Sequence, residues 1–252
     1  IPLRLVGSEM CIRDRPCLIH HVDDDRARTM REAMTIARPQ GTTPVQPPGG
    51  AYESALAQSL SAATSCTSLL APTTAKLTRT VATDLVRAEL VRSTYLLQAS
   101  RILRRELPVV RSRVAAREII DRLLSLADAE RRLRVVEIDA AVTVPGDGAL
   151  WADRDQLVLG LSGVLLSVLA ALDGIGGART TLGAHPEGTT HVAFVIAQEF
   201  LAFEETQQAI VTSGTGDPFS PTFVMAALQH VALAHEGRVS TSRVNNGSRV
   251  CL

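Results

Sequence analysis

Apolar and polar positions recur along this chain at two different periods, and the changes of period mark its elements. Between Tyr52 and Leu70 the larger or buried-compatible residues fall at Leu56, Leu60, Ala63, Thr67 and Leu70, alternately four and three apart. That spacing is the seam of a helix packed side by side with another. Pro72 ends it, having no backbone N–H to give. A second helix is predicted from Thr74 to Glu106, with its seam at Leu77, Val81, Leu85, Ala88, Val91, Tyr95, Ala99 and Ile102. Helices joined by so short a turn form an antiparallel hairpin. Its leftover apolar edge either recruits a second copy into a four-helix bundle or packs on the segment that follows.

Beyond the hairpin, Leu107 to Val110 reads as a short strand and Arg113 to Arg132 as an amphipathic helix burying Val114, Ile119, Ile120, Leu123, Leu124 and Leu126. Val135 to Val144, rich in β-branched residues, is a predicted strand. A Gly146-Asp147-Gly148 turn then leads through Trp151 into Asp153 to Asp173. Between its acidic ends this stretch holds almost only apolar and small residues. It is a helix buried on nearly all sides or a marginal membrane span. Ala178 to Ala184 and Thr190 to Ala197 make a strand pair about a Pro186-Glu187-Gly188 turn, Phe223 to His235 a last helix, and 238–244 with 248–252 a closing hairpin about Asn245-Asn246-Gly247. Helices interleaved with strands able to pair antiparallel predict an α+β fold, a helical hairpin followed by an α/β sandwich with a helical layer on one face of a mixed sheet.

Composition narrows the function. With 26 basic and 26 acidic residues the net charge is +0, which gives no general footprint for nucleic acid. The 4 cysteines, Cys11, Cys17, Cys66 and Cys251, show neither close-pair metal spacing nor a disulfide framework, so a reducing cytoplasm is expected. Acidic flanks at Asp153 and Asp173 argue against a membrane span there. Lys76 is the only lysine, a bias toward arginine that suggests a GC-rich bacterial genome. Residues 1–15 resemble a translated sequencing-adapter read-through and are set aside as an artefactual leader. On that expectation the upstream part of the protein is missing. Residues 16–50 read as a partial upstream segment and a Pro/Gly linker. Their Asp23-Asp24-Asp25 run is an acidic helix start or a weak likeness to a receiver domain's cation-binding strand.

The order of elements from 51 to 252 is similar to the catalytic core of bacterial two-component sensor histidine kinases. The resemblance is carried by Asp153-Arg154-Asp155-Gln156-Leu157, by Asp217-Pro218-Phe219-Ser220-Pro221, and by Ala234-His235-Glu236-Gly237-Arg238-Val239. These match the entry to the family's asparagine-bearing helix, its phenylalanine box and its Ala-His-Gly-Gly-Arg-Ile. The resemblance implies a dimerisation hairpin at 51–106 and an ATPase-type domain at 107–252.

The positions to which the resemblance assigns chemistry hold other residues. Ala62 stands where the phosphoacceptor histidine would be, and alanine cannot attack a phosphate. Gly163 and Ser167 replace the two asparagines, the second of which carries the Mg²⁺ that phosphoryl transfer needs. Gln198, Phe200 and Ala202 fall where an aspartate and two glycines would read and approach adenine, and Thr222 falls in the second glycine box. Gly163, Ser167, Gln198, Phe200, Ala202 and Thr222 are thus degenerate nucleotide-site positions, with no catalytic residue and no metal ligand among them. His185, His191, His230 and His235 lack metal-ligand spacing, and Gly214-Thr215-Gly216 reads as a turn. The expectation is a pseudokinase with no cofactor, acting as a homodimer, as a heterodimer with a histidine kinase, or on a response regulator. The alternative is a divergent kinase or ATPase that still holds ATP and Mg²⁺ through Ser167 and Gln198.

Overall fold

The element boundaries follow from where backbone donors can be satisfied and where small residues let helices approach. The structure, a computed structural model, describes residues 49–145, 148–175, 177–188, 190–198, 221–244 and 247–252. The readings made above for residues 1–48, including the Asp23-Asp24-Asp25 run, and those for Phe200, Ala202 and 214–220, lie outside them.

Helix α1 runs Gly49–Thr67, so the final two glycines of the expected linker are already helical. A 3-10 turn at Ser68–Leu70 precedes Pro72, and α2 follows over Lys76–Leu103. The two pack together, but not along the expected seam. The inward positions of α1 are Ala55, Ser59 and Ala63, while Leu60, Leu69 and Leu70 are exposed. On α2, Leu77 and Val81 face solvent, whereas Ala88, Tyr95, Ala99 and Ile102 are buried as the spacing requires. Small side chains bring the backbones close, and a polar contact sits among them: Ser93 Oγ donates to Ser59 Oγ at 2.9 Å.

Residues 107–110 are a connection and not a strand, and the Val110 N–H goes to Asp153 Oδ2 at 2.8 Å instead of to a ladder partner. Strand β1 lies instead at Ser112–Ala115, so the helix expected from Arg113 begins at Ala116; α3 is Ala116–Arg134. Val114 is buried from the strand, and Ile119, Ile120 and Leu123 from the helix. Strand β2 is Glu137–Val142, and β3 is Ala149–Ala152, an element the sequence pattern did not reveal. β1 and β3 form a small antiparallel pair in which Arg113 stands opposite Trp151, the latter 70% exposed.

Helix α4, Arg154–Ala171, is capped by Asp153, whose Oδ1 accepts from Gln156 N at 3.0 Å. Strands β4 (Arg179–Glu187) and β5 (His191–Gln198), helix α5 (Pro221–Ala234) and strands β6 (Ser240–Val244) and β7 (Gly247–Cys251) complete the chain. The five-stranded sheet has the order β2-β4-β5-β7-β6, with β2 parallel to β4 and the other pairs antiparallel. Cross-strand partners Leu182 with Ile196 and Ala184 with Phe194 share its buried face.

On that face lie α3, α4 and α5, and across them runs the C-terminal half of α2. α4 is therefore enclosed by α3 and α5 at its sides, α2 above and the sheet below. This accounts for its apolar character on every face. Among the described residues it is the one helix long and apolar enough to cross a membrane, and most of it is buried in the protein core. The predicted fold class is the one observed: a helical hairpin followed by an α/β sandwich.

Candidate functional site

Of the positions singled out from sequence, Gly163 and Ser167 lie in the middle of α4. Gly163 lies there because nothing larger fits: a Cβ built on it would stand 2.2 Å from Tyr95 Oη, 2.3 Å from Cζ and 2.5 Å from Cε2. Glycine in a helix interior costs about 1 kcal/mol against alanine, so the close approach of another side chain is its reason for being there. Tyr95 comes from α2, is 1% exposed, and meets Phe223 at the start of α5 edge-on, with ring centroids 6.4 Å apart and planes at 87°. Burial pushes the Tyr95 phenol well above its ordinary range, so it remains a neutral hydroxyl.

The other positions do not assemble into one site. Ser167, one turn beyond Gly163, is half-buried. Gln198 is buried at the end of β5, opposite Thr180 on β4. Thr222 is the second residue of α5, with its side chain outside the described residues, as are Phe200 and Ala202 entirely. Ala62 is exposed on α1. Among the described residues no group of three His, Cys, Asp or Glu could hold a metal ion.

The third motif has a defined structural role. The Val231 carbonyl can only accept, so His235 Nδ1, 2.8 Å from that oxygen, carries the proton and donates it. Nε2 then accepts from Asp153 N at 2.9 Å, which ties the end of α5 to the cap of α4. Glu236 follows with φ +60°, a left-handed conformation that favours glycine and that few other residues adopt. Arg111 closes the corner, donating to the Ala234 carbonyl at 2.8 Å and to Glu236 at 3.1 Å.

Beside Tyr95 a cleft of about 1030 Å³ opens between α2, the 107–110 connection, α3 and the start of α4. Its floor includes Val91, Leu107 and Leu159, and Arg122 and Arg154 stand at its rim. Arg154 is engaged by Glu118 at 2.7 Å and Asp155 at 3.0 Å, which raises its already high pKa further.

Sequence reasoning placed Tyr95 in a helical seam and Gly163 in a vacated metal site without joining them. The available signal was a glycine in the centre of a predicted helix. It missed the ion pairs between hairpin and sandwich entirely, because nothing local in the sequence pairs Asp84 with Arg132 or Arg92 with Glu130.

The class of molecule so described is a helical hairpin followed by an α/β sandwich, with Gly163 of its central helix packed under the Tyr95 ring. No protein-family model matches the chain, and no curated protein matches it. In fold it is similar to the histidine kinase AdeS of Acinetobacter baumannii, at 12% identity and TM-score 0.47 over 78% of this chain and 94% of that one. It is similar as well to a histidine kinase of Burkholderia phymatum, at 15% identity and TM-score 0.45 over 80% and 95%. A further similar structure is the histidine kinase ThkA in complex with the response regulator TrrA, at 15% identity and TM-score 0.49 over 90% and 64%.

Proposed function

We propose that this chain is a signal-transduction protein of the two-component histidine kinase type that works by association and not by phosphoryl transfer. The observation that carries the reading is the Tyr95 ring seated on Gly163, where the kinase pattern has an asparagine. An asparagine there would be driven into the ring. The metal ligand one turn on is a serine, a short and weak donor for Mg²⁺. With Ala62 at the phosphoacceptor position, neither the donor side nor the acceptor side of the reaction is supplied by the family's groups.

Association is supported by the hairpin. Leu77 is 77% exposed, and Leu60, Leu69, Leu70 and Val81 are exposed with it near the turn between α1 and α2. A second copy, or the hairpin of a histidine kinase, would cover this strip as a four-helix bundle. The reading places the protein in the cytoplasm, with a response regulator as the further partner class.

Calorimetry with ATP and Mg²⁺ tests the inert half of the reading. No heat of binding is expected, and no gain in thermal stability, whereas a ligand at a hundredfold its Kd would add about 2.7 kcal/mol. Micromolar binding would overturn it. Light scattering tests the other half: Leu77→Arg is expected to halve the mass in solution, and a monomeric parent protein would end the homodimer proposal.

A further inference from the structure

Between Asp84 and Tyr95, α2 carries a series of contacts to the sandwich that the kinase resemblance does not call for. Asp84, buried, receives the fork of Arg132 on α3, Nε to Oδ2 at 3.0 Å and Nη2 to Oδ1 at 2.7 Å. Two turns along, Arg92 Nε lies 2.5 Å from Oε1 of Glu130, a carboxylate on α3 that is 1% exposed. Its other oxygen takes Arg134 Nε at 2.9 Å, and Arg134 Nη1 reaches Asp173, just past the end of α4, at 2.6 Å. In the other direction Arg92 meets Glu89 at 2.9 Å, and Glu89 Oε2 accepts from Ser59 on α1 at 2.6 Å. A line of ion pairs and hydrogen bonds thus runs from α1 through α2 and α3 to the end of α4, the Arg92–Glu130 link being a close ion pair without hydrogen-bond geometry. One turn beyond Arg92, Tyr95 is held in the Gly163 notch.

Contacts of this kind do not suit a junction that opens and closes. A carboxylate as deeply buried as Glu130 is costly to desolvate and strongly destabilising once a partner is withdrawn. A swinging hairpin would remove Arg92 from it and the Tyr95 ring from its notch together. Arg132 forks onto Asp84, a geometry that fixes orientation as well as distance. We infer that the Asp84–Arg132 fork, the Arg92–Glu130–Arg134–Asp173 line and the Tyr95 ring on Gly163 form a clamp that holds hairpin and sandwich as one rigid body. A movement imposed on the hairpin is then delivered to α3 and α4 as displacement of the whole sandwich. Arg92, Arg132 and Tyr95 are positioning residues. The inference does not depend on whether nucleotide binds.

The test is a distance measurement between spin labels on the full chain, with its cysteines replaced by serine and labels introduced by Thr78→Cys on α2 and Asp139→Cys on β2. Labelled protein is diluted with unlabelled protein, so that only distances within one chain are read. A single narrow distribution is expected, and it should broaden severalfold in Arg92→Ala/Arg132→Ala and in Tyr95→Ala while Tyr95→Phe stays narrow. A broad distribution in the parent protein would overturn the clamp. So would an unchanged width in the double variant, provided its thermal unfolding is still cooperative. If that variant does not fold, Arg132→Gln alone is read the same way. A broad parent distribution together with absent ATP binding would remove the clamp and leave the proposed function standing.

Discussion

Restoring a side chain at Gly163 separates two opposing effects whose signs differ. Gly163→Ala in a helix interior should stabilise by up to about 1 kcal/mol if nothing stands in the way. Here the new methyl would lie 2.2 to 2.5 Å from three atoms of the Tyr95 ring. Carbon atoms in contact rest roughly 3.5–4.0 Å apart, so α2 and α4 must separate or the ring must leave its rotamer. Overpacking of this kind costs about 1–3 kcal/mol even when the surroundings yield. Both helices are fixed by the ion pairs to α3, so the upper part of that range applies, giving a net loss of about 2 kcal/mol and a Tm lower by roughly 4–8 °C for a chain of this size. Urea unfolding followed by circular dichroism measures it directly. The double variant Gly163→Ala/Tyr95→Ala sharpens the test, because the methyl then enters a space the ring has left and the two losses should fall short of additive. If Gly163→Ala is as stable as the parent or more so, the notch is not filled as described and the packed-site argument fails with it.

Val135, the residue after α3, has φ +55° and is 81% exposed, a β-branched side chain in a left-handed cap with nothing to pack against. Val135→Asn should raise the unfolding free energy by about 1 kcal/mol, and a loss would show that the cap geometry is not as described. The fold should also weaken on mild acidification. Burial, and then the charge of Arg105, lower the pKa of His230 from its ordinary 6.5, so below that pH the unfolded chain takes up a proton that the native state resists. Stability present above about pH 6.5 is therefore lost as pH falls through and below that value, and urea midpoints from pH 7.5 to 5 should follow it. His230→Gln should flatten that slope, and an unchanged slope would assign it elsewhere. At lower pH Asp128 acts in the same direction, since the hydrogen bond from Arg131 holds its carboxyl below the usual range and its contribution disappears once it is protonated.

How far the sequence revealed this arrangement depended on whether a signal was local. α4 was legible almost to the residue, because a long run of almost only apolar and small residues lies between Asp153 and Asp173. The β4–β5 pair was legible because two β-branched runs flank a turn. The seam of α1 was not. Leu60 and Leu70 satisfied the spacing as well as Ala55 and Ser59 did, and periodicity alone cannot distinguish the face turned toward a helix of the same chain from a face left outward. Val109 and Val110 suggested a strand by propensity, and a carboxylate 43 residues away took the N–H that such a strand would have needed. At the candidate site Gly163 was visible as a glycine inside a helical run, but the reason for it lay on another helix.

Trp151 is the only tryptophan, and it stands in water on β3 opposite Arg113. Its indole emission should already be red-shifted in the native protein, so unfolding will barely change its colour and the core will melt unseen by fluorescence. Whatever settles over the β1–β3 ribbon will instead exclude water from that ring and move the emission to the blue. The chain thus carries an intrinsic dye that is insensitive to its own folding and responsive to being covered.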